Sequence, residues 1–505
     1  MFYSRVTPEG NDIPDPELLI KSIAEQGYLL QTSLADLIDN SITADANQIE
    51  ILIDTDNEPF MLFLADNGNG MSREMLARNM KFPSASPEEI RAAEDLGRFG
   101  LGMKTASFAQ TRILTVLSRE KGSEPFYGKT WDVEYLQRGK RWKIIENSPD
   151  EIRELLIMYN RLSRGFHNQF RNYTPNTIII WKGLYKFEKY AGENKKASLQ
   201  KEITEITSEY LSLVFHRYMG RERSPLSIRI NNNILTPFNP FPTDQSGFRR
   251  LEVNQARFKS DALKIEGYIL PSRSLDESKS GHSIWTQNSK SLMDMEGLYI
   301  YRADRIILFG GWNGIIKKSP RLQLARLKVD IGNSVDHYFQ LNVAKSSIVI
   351  PYELRMAFLR YVSQLKIEAQ KEYYNRGVKK LAGIKKKSTD TLFIREPSSR
   401  GIVLSLNDEF PLILTFAQQL TEEQRRHFSI IAGMINTAVN RIRHVHEDKP
   451  FITSEKRGTT EPELIQCIKL LKNCGLSGEQ IEETLFSGLG LLKETIPEHI
   501  LNTLN

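Results

Sequence analysis

Apolar positions recur at helical spacing at Leu34, Leu37, Ile38 and Ile42, which predicts a helix with one face in a core. Asp36 and Asn40 stand four apart on it and share a second face. Two alternating runs, Ile49 to Ile53 and Phe60 to Leu64, read as a hairpin. Further strands are predicted at Arg112 to Ser118, Tyr127 to Tyr135, Arg141 to Ile145, and at the late, buried run Asn176 to Trp181. A helix from Pro16 to Gly27, with Leu19, Ile20 and Ile23 as its apolar side, precedes them. Met1 to Asp15 lacks periodicity and reads as an arm ordered by docking. Met71 to Gly97 reads as a lid with a short helix from Pro87 to Leu96.

From about Lys186 the pattern changes. A helix from Leu199 to Met219 is followed by strands at Leu226 to Ile230, Leu263 to Leu270, Gly297 to Tyr301, Arg305 to Phe309 and Leu327 to Ile331. The helix from Pro351 to about Glu372 is amphipathic through Leu354, Phe358, Tyr361, Val362 and Leu365. Strands closed by a long crossover helix indicate α/β layer packing. The predicted division is 1–190, 191–375, a basic linker over 376–400 and a helical module over 401–505. In that module Leu420 to Ile442, Glu461 to Cys474 and Ser477 to Phe486 read as helices.

Composition narrows the class. A chain of 505 residues exceeds one ordinary domain, and 40% apolar with 26% charged residues is a globular profile. No run approaches a membrane span, and the N-terminus lacks the order of a signal peptide, so a cytoplasmic protein is expected. Two cysteines, Cys467 and Cys474, exclude a disulfide framework and a four-cysteine zinc site. The net charge of +6 permits nucleic-acid binding without requiring it. Lys379, Lys380, Lys385, Lys386 and Lys387 are equally a phosphate contact or a solvated linker. No nuclease motif or Ser/His nucleophile pattern is present, and His444 and His446 are isolated.

Three phrases carry chemistry. Ser33 to Ser41 pairs the carboxylate of Asp36 with the amide of Asn40, a hard-cation ligand beside a group able to orient or deprotonate water. Asp66-Asn-Gly68-Asn-Gly70-Met71 ends a strand in a turn that lets a flat ligand approach, with a carboxylate able to accept from an exocyclic amine. Gly97-Arg-Phe-Gly100-Leu101-Gly102-Met103-Lys104-Thr105 puts a glycine loop before a helix, where backbone amides and Lys104 favour phosphate. Taken singly, each phrase also fits an ordinary polar face, turn or loop.

In this order the phrases resemble the nucleotide site of the GHKL ATPases, the superfamily of gyrase B, MutL, histidine kinases and the large heat-shock chaperone. Their wording is most similar to MORC-type ATPases and their prokaryotic relatives. The resemblance implies a Bergerat-type ATP-binding sandwich, a ribosomal-S5-like transducer domain and the helical module. It implies ATP and magnesium as cofactors. Asn40 would hold the metal, Asp66 the adenine amine, and Gly68, Gly70 and Met71 the base pocket. Gly97, Gly100, Leu101, Gly102, Met103, Lys104 and Thr105 would close on the phosphates. Asp36 stands where the family usually has a catalytic Glu, which implies slow hydrolysis. Thr177 matches the adenine network, although Asn176 replaces the family's glycine. Lys345, between a strand and the crossover helix, matches the transducer lysine that reaches the terminal phosphate.

Three functions follow from the resemblance. The first is an ATP-driven, dimerising clamp acting on DNA or on an effector such as a partner nuclease, with restriction or phage defence as its setting. The second is a chaperone-like ATPase working on protein clients. The third, a histidine kinase, fits poorly, because the short segment before Asp36 contains no His.

Overall fold

The computed structural model describes residues 14–25, 27–82, 102–190, 194–251, 254–258, 261–279, 283–332, 338–339, 348–383, 391–398, 401–446, 461–473, 477–482 and 496–504. The chain forms two compact units, residues 1–369 and 370–505.

The first unit is a mixed α/β structure. Its larger sheet comprises β1 (Gln48–Asp54), β2 (Met61–Asp66), β3 (Thr111–Ser118), β4 (Tyr127–Asp132), β5 (Ile145–Glu146), β6 (Thr177–Leu184), β7 (Ser227–Ile230) and β8 (Asn233–Ile234). The spatial order is β5-β4-β3-β6-β2-β1-β7-β8, antiparallel throughout except where β7 runs parallel to β1. Strand side chains alternate between faces, so a strand covered on both sides must be apolar at every position. β2 obeys this: Leu62 and Leu64 join one core and Phe63 and Ala65 the other.

The first core is roofed by α1 (Pro16–Ala24) and α2 (Leu30–Thr43) together with the helical run Lys195–Met219; Ile20, Leu34, Leu37, Ile38 and Val214 pack there on Ile49, Ile51 and Trp181. Two short helices, α3 (Arg73–Asn79) and α4 (Gly102–Phe108), border the same layer. The expected strand to Tyr135 stops at Asp132, whose carboxylate accepts from the amides of Glu134 and Tyr135 and starts α5 (Val133–Gly139). The opposite face is covered by α6 (Pro149–Gly165), begun by a reciprocal Ser148/Glu151 cap. Ile152 and Tyr159 of α6 pack on Phe63, Ile178 and Ile180.

The larger sheet continues past residue 190, because β7 and β8 extend it at the β1 edge. The helical run before them changes to a π-turn over Glu202–Thr207. A second sheet follows, with β9 (Arg249–Arg250), β10 (Asn254–Phe258), β11 (Asp261–Ile269), β12 (Gly297–Arg302), β13 (Arg305–Phe309) and β14 (Ala325–Ile331). Its order is β10-β11-β14-β12-β13, with β9 on β11. Leu354, Phe358, Val362 and Leu365, from the helix Tyr352–Gly383, cover it together with Tyr361, whose hydroxyl accepts from the Gly267 amide at 3.0 Å.

In the second unit a hairpin, Phe393–Ser398 against Gly401–Leu406, stands where the sequence predicts the linker and the start of the helical module. Asn436 and Asn440, on the helix Glu422–His446, bond the backbone of Leu406 and Leu404. A separate small core unites Leu464, Ile468, Leu471, Ile481 and Ile500.

Candidate nucleotide site

β2 delivers Asp66 to the end of the larger sheet, where it is 3% exposed. Ser41, from the last turn of α2, donates its hydroxyl to Oδ2 at 2.9 Å, and the Gly68 amide donates to Oδ1 at 2.9 Å. Thr177 stands directly opposite Asp66 on β6, and its hydroxyl shares a 2.9 Å hydrogen bond with Ser118 of β3. Burial pushes the Asp66 carboxyl up to about 6, against the pull of the Gly68 and Ser41 donors. Four chain segments thus bring a buried carboxylate and the hydroxyls of Ser41, Ser118 and Thr177 to one sheet end.

The turn after Asp66 requires its glycines. A Cβ at Gly68 would lie 2.6 Å from the Ala44 carbonyl oxygen. Gly70 has φ +68°, and a Cβ there would lie 1.8 Å from the Arg119 carbonyl oxygen. Asn176 fixes the turn from β6: its side-chain amide donates to the Gly68 carbonyl at 2.8 Å, and its backbone amide to the Asp66 carbonyl at 2.8 Å. Asn176, where the resemblance leads one to expect glycine, therefore staples the Asp66 turn. Met71 packs half-buried against the first core.

α2 carries the second group of site residues. Asp36 is 2% exposed, accepts from the Tyr28 hydroxyl at 2.7 Å through Oδ2, and lies beside the start of α4, since a Cβ on Gly102 would be 4.0 Å from Oδ2. Asn40, one turn on, is exposed. Asp39 and Arg305, which the sequence does not single out, are both buried and paired at 3.0 Å.

At the third phrase, α4 opens at Gly102. Met103 is half-buried, and the Thr105 hydroxyl donates to the Gly102 carbonyl at 3.2 Å. Lys104 is buried; its ammonium donates to the carbonyls of Asn79, at 2.8 Å, and Lys81. Burial pushes it down to about 8. Lys104 thereby joins α4 to the end of α3. Gly97, Gly100, Leu101 and Lys345, and the expected helix over 87–96, lie outside the described residues.

The structure brings Asp66, Gly68, Gly70 and Thr177 together at one sheet end, with Ser41, Ser118 and Asn176 added. A buried carboxylate beside a turn that carries no side chain at Gly68 and Gly70 suits a flat heterocycle that bears an amine. A cavity of about 500 Å³ lies elsewhere, at the N-terminal end of α2, between Thr32, Tyr210, Lys290 and Phe309. Residues 28–163 match the family model of histidine kinase-, DNA gyrase B-, and HSP90-like ATPases.

The chain carries a GHKL-type ATPase domain.

The chain is 33% identical over 92 residues to the ATPase morc-1 of Caenorhabditis elegans, a stretch that covers 18% of this chain and 10% of that protein. It is 25% identical over 167 residues to the chaperone protein HtpG of Idiomarina loihiensis, covering 29% and 25%. For HtpG of Clostridium acetobutylicum the identity is 28% over 185 residues, covering 35% and 29%. The chain thus spans between 10% and 29% of the length of these relatives. The Asp66 carboxylate offers an acceptor of the kind an exocyclic amine requires. Among the described residues no helix is long and apolar enough to cross a membrane.

Proposed function

We propose that this protein is a MORC-like ATPase that binds ATP with magnesium, hydrolyses it slowly, and works as a nucleotide-gated, dimerising clamp on DNA or on a DNA-processing partner. The observation that carries the reading is the buried Ser41-Asp66-Gly68 cluster opposite Thr177. In it, Asp66 accepts from the adenine amine, the glycine turn leaves room for the ring, and Asn176 holds that turn. Asn40, exposed at the end of α2, is the magnesium ligand of this reading. Gly97, Gly100 and Gly102 form the phosphate end, with Lys104 fixing the base of the lid and Lys345 reaching the terminal phosphate. Bound magnesium would offset the phosphate charge. Asp36 orients the attacking water and takes its proton; aspartate reaches one methylene less far than glutamate, which makes turnover slow.

The net charge of +6 and the lysines from Lys379 to Lys387 support action on nucleic acid. The HtpG matches cover more of the chain and support a second reading, the remodelling of a protein client. Turnover by the purified protein, with and without duplex DNA at two salt concentrations, separates the two. Stimulation by DNA that fades with salt supports the clamp on DNA, and turnover indifferent to DNA but raised by an unfolded client supports the chaperone reading.

A further inference from the structure

Arg305 opens β13 in the second sheet, yet its side chain ends against α2, the helix that bears Asp36. It is 1% exposed, with Nε 3.0 Å from Asp39 Oδ1 and Nη2 3.7 Å from Asp36 Oδ1. Asp36 and Asp39 are 2% and 1% exposed. Three groups from other elements also face the cluster: the Tyr28 hydroxyl on Asp36 Oδ2, the Tyr210 phenol, and the Phe215 ring, 5.9 Å from the guanidinium. A guanidinium at this depth needs anions, and two carboxylates at this depth need a cation. The cluster therefore locks α2 to β13 by mutual charge.

The turn that precedes Arg305 is itself tied to the helix His216–Met219. Tyr218 donates its hydroxyl to the Ala303 carbonyl, Arg221 pairs with Asp304 at 2.9 Å, and Arg217 pairs with Asp330 of β14. Arg305 is thus presented to α2 by a braced corner of the second sheet. Asp66, at the adenine end, is held by the separate Ser41 and Gly68 donors.

We propose that Arg305 is a positioning residue for Asp36, the side chain through which the second sheet sets the place of the carboxylate that serves the attacking water. The inference rests on the ATPase reading of Asp36 given above. Its physical content is a separation of roles: a shift of β13 against α2 changes hydrolysis while adenine binding at Asp66 is retained. Without the guanidinium, nothing from the second sheet fixes where the buried Asp36 and Asp39 carboxylates stand.

The test measures magnesium-dependent ATP turnover, and binding of a fluorescent ATP analogue, for the parent, Arg305→Lys, Arg305→Met and the double variant Arg305→Met/Asp39→Asn. The double variant keeps the net charge of the cluster and serves if Arg305→Met does not fold. Arg305→Met and the double variant are expected to lower kcat at least ~10-fold, with the analogue's Kd within ~3-fold of the parent. Arg305→Lys is expected to recover part of the rate, which a merely structural loss would not allow. A kcat like the parent's in Arg305→Met or the double variant, or a loss of binding as large as the loss of kcat, overturns the inference and leaves Arg305 a structural support. A parent that binds the analogue but never turns ATP over refutes the hydrolysis reading and this inference with it. That result is distinct from an active parent whose variants match it.

Discussion

Replacing Asp66 by Ala should change how stability depends on pH. The Asp66 carboxyl lies at about 6 in the folded protein instead of 3.8, because burial penalises its charged form. Between those values the folded protein holds a proton at Asp66 that the unfolded chain does not. The stabilisation is full below 3.8 and is lost as pH rises through about 6. At 1.36 kcal/mol per pH unit, that interval corresponds to ~3 kcal/mol, of which ~2 kcal/mol falls between about pH 4.5 and about pH 7.5. Ala at 66 removes this dependence and also orphans the Ser41 and Gly68 donors, a pH-independent cost of ~1–3 kcal/mol each. Urea denaturation followed by the fluorescence of buried Trp131 and Trp181 gives both stabilities. The parent's advantage over Asp66→Ala should shrink by ~2 kcal/mol on going from the lower pH to the higher. A constant difference, or one that grows with pH, would refute the assignment of a buried, titrating carboxyl at this position.

Other predictions follow from the same geometry. Asn176→Ala leaves the buried Gly68 carbonyl without its side-chain donor, so stability should drop by ~1–3 kcal/mol and ATP affinity should weaken, read by denaturation and by analogue titration. Gly70→Ala forces a side chain onto φ +68° and against the Arg119 carbonyl; it should lower Tm and weaken ATP binding at least ~10-fold, while an unchanged Kd would show that the turn does not shape the site. Asp36→Asn should retain ATP binding and lose ~10²–10⁴-fold in kcat; turnover equal to the parent's would remove Asp36 from the reaction.

The parts of the site that were legible in the sequence are those fixed by local pattern. The periodicity of Leu34, Leu37 and Ile38 located α2, and the alternating runs before Asp66 located the hairpin that delivers it. Ser41 stood inside the first phrase, but its role depends on a carboxylate 25 positions away, which helical spacing does not report. Asp132 was readable as a cap, yet the aromatic and β-branched residues around it favour a strand, and α5 was missed. Ser148-Pro-Asp-Glu151 is a capping box that marks α6 directly. Arg305 carries no local signal at all: it reads as an ordinary strand residue, and its meaning arises only because the fold sets β13 against α2. The hairpin over Phe393–Leu406 was hidden by the helical sequence after it, whose Asn436 and Asn440 bind its backbone.

The most direct test of the account is a calorimetric titration of magnesium-ATP into the parent protein and into Asp66→Ala. The account predicts binding by the parent and a loss of ~10- to 100-fold in the variant, the value of ~1.5–3 kcal/mol for a hydrogen bond to a charged group. Equal affinity in the two proteins, or no binding by the parent, would contradict it.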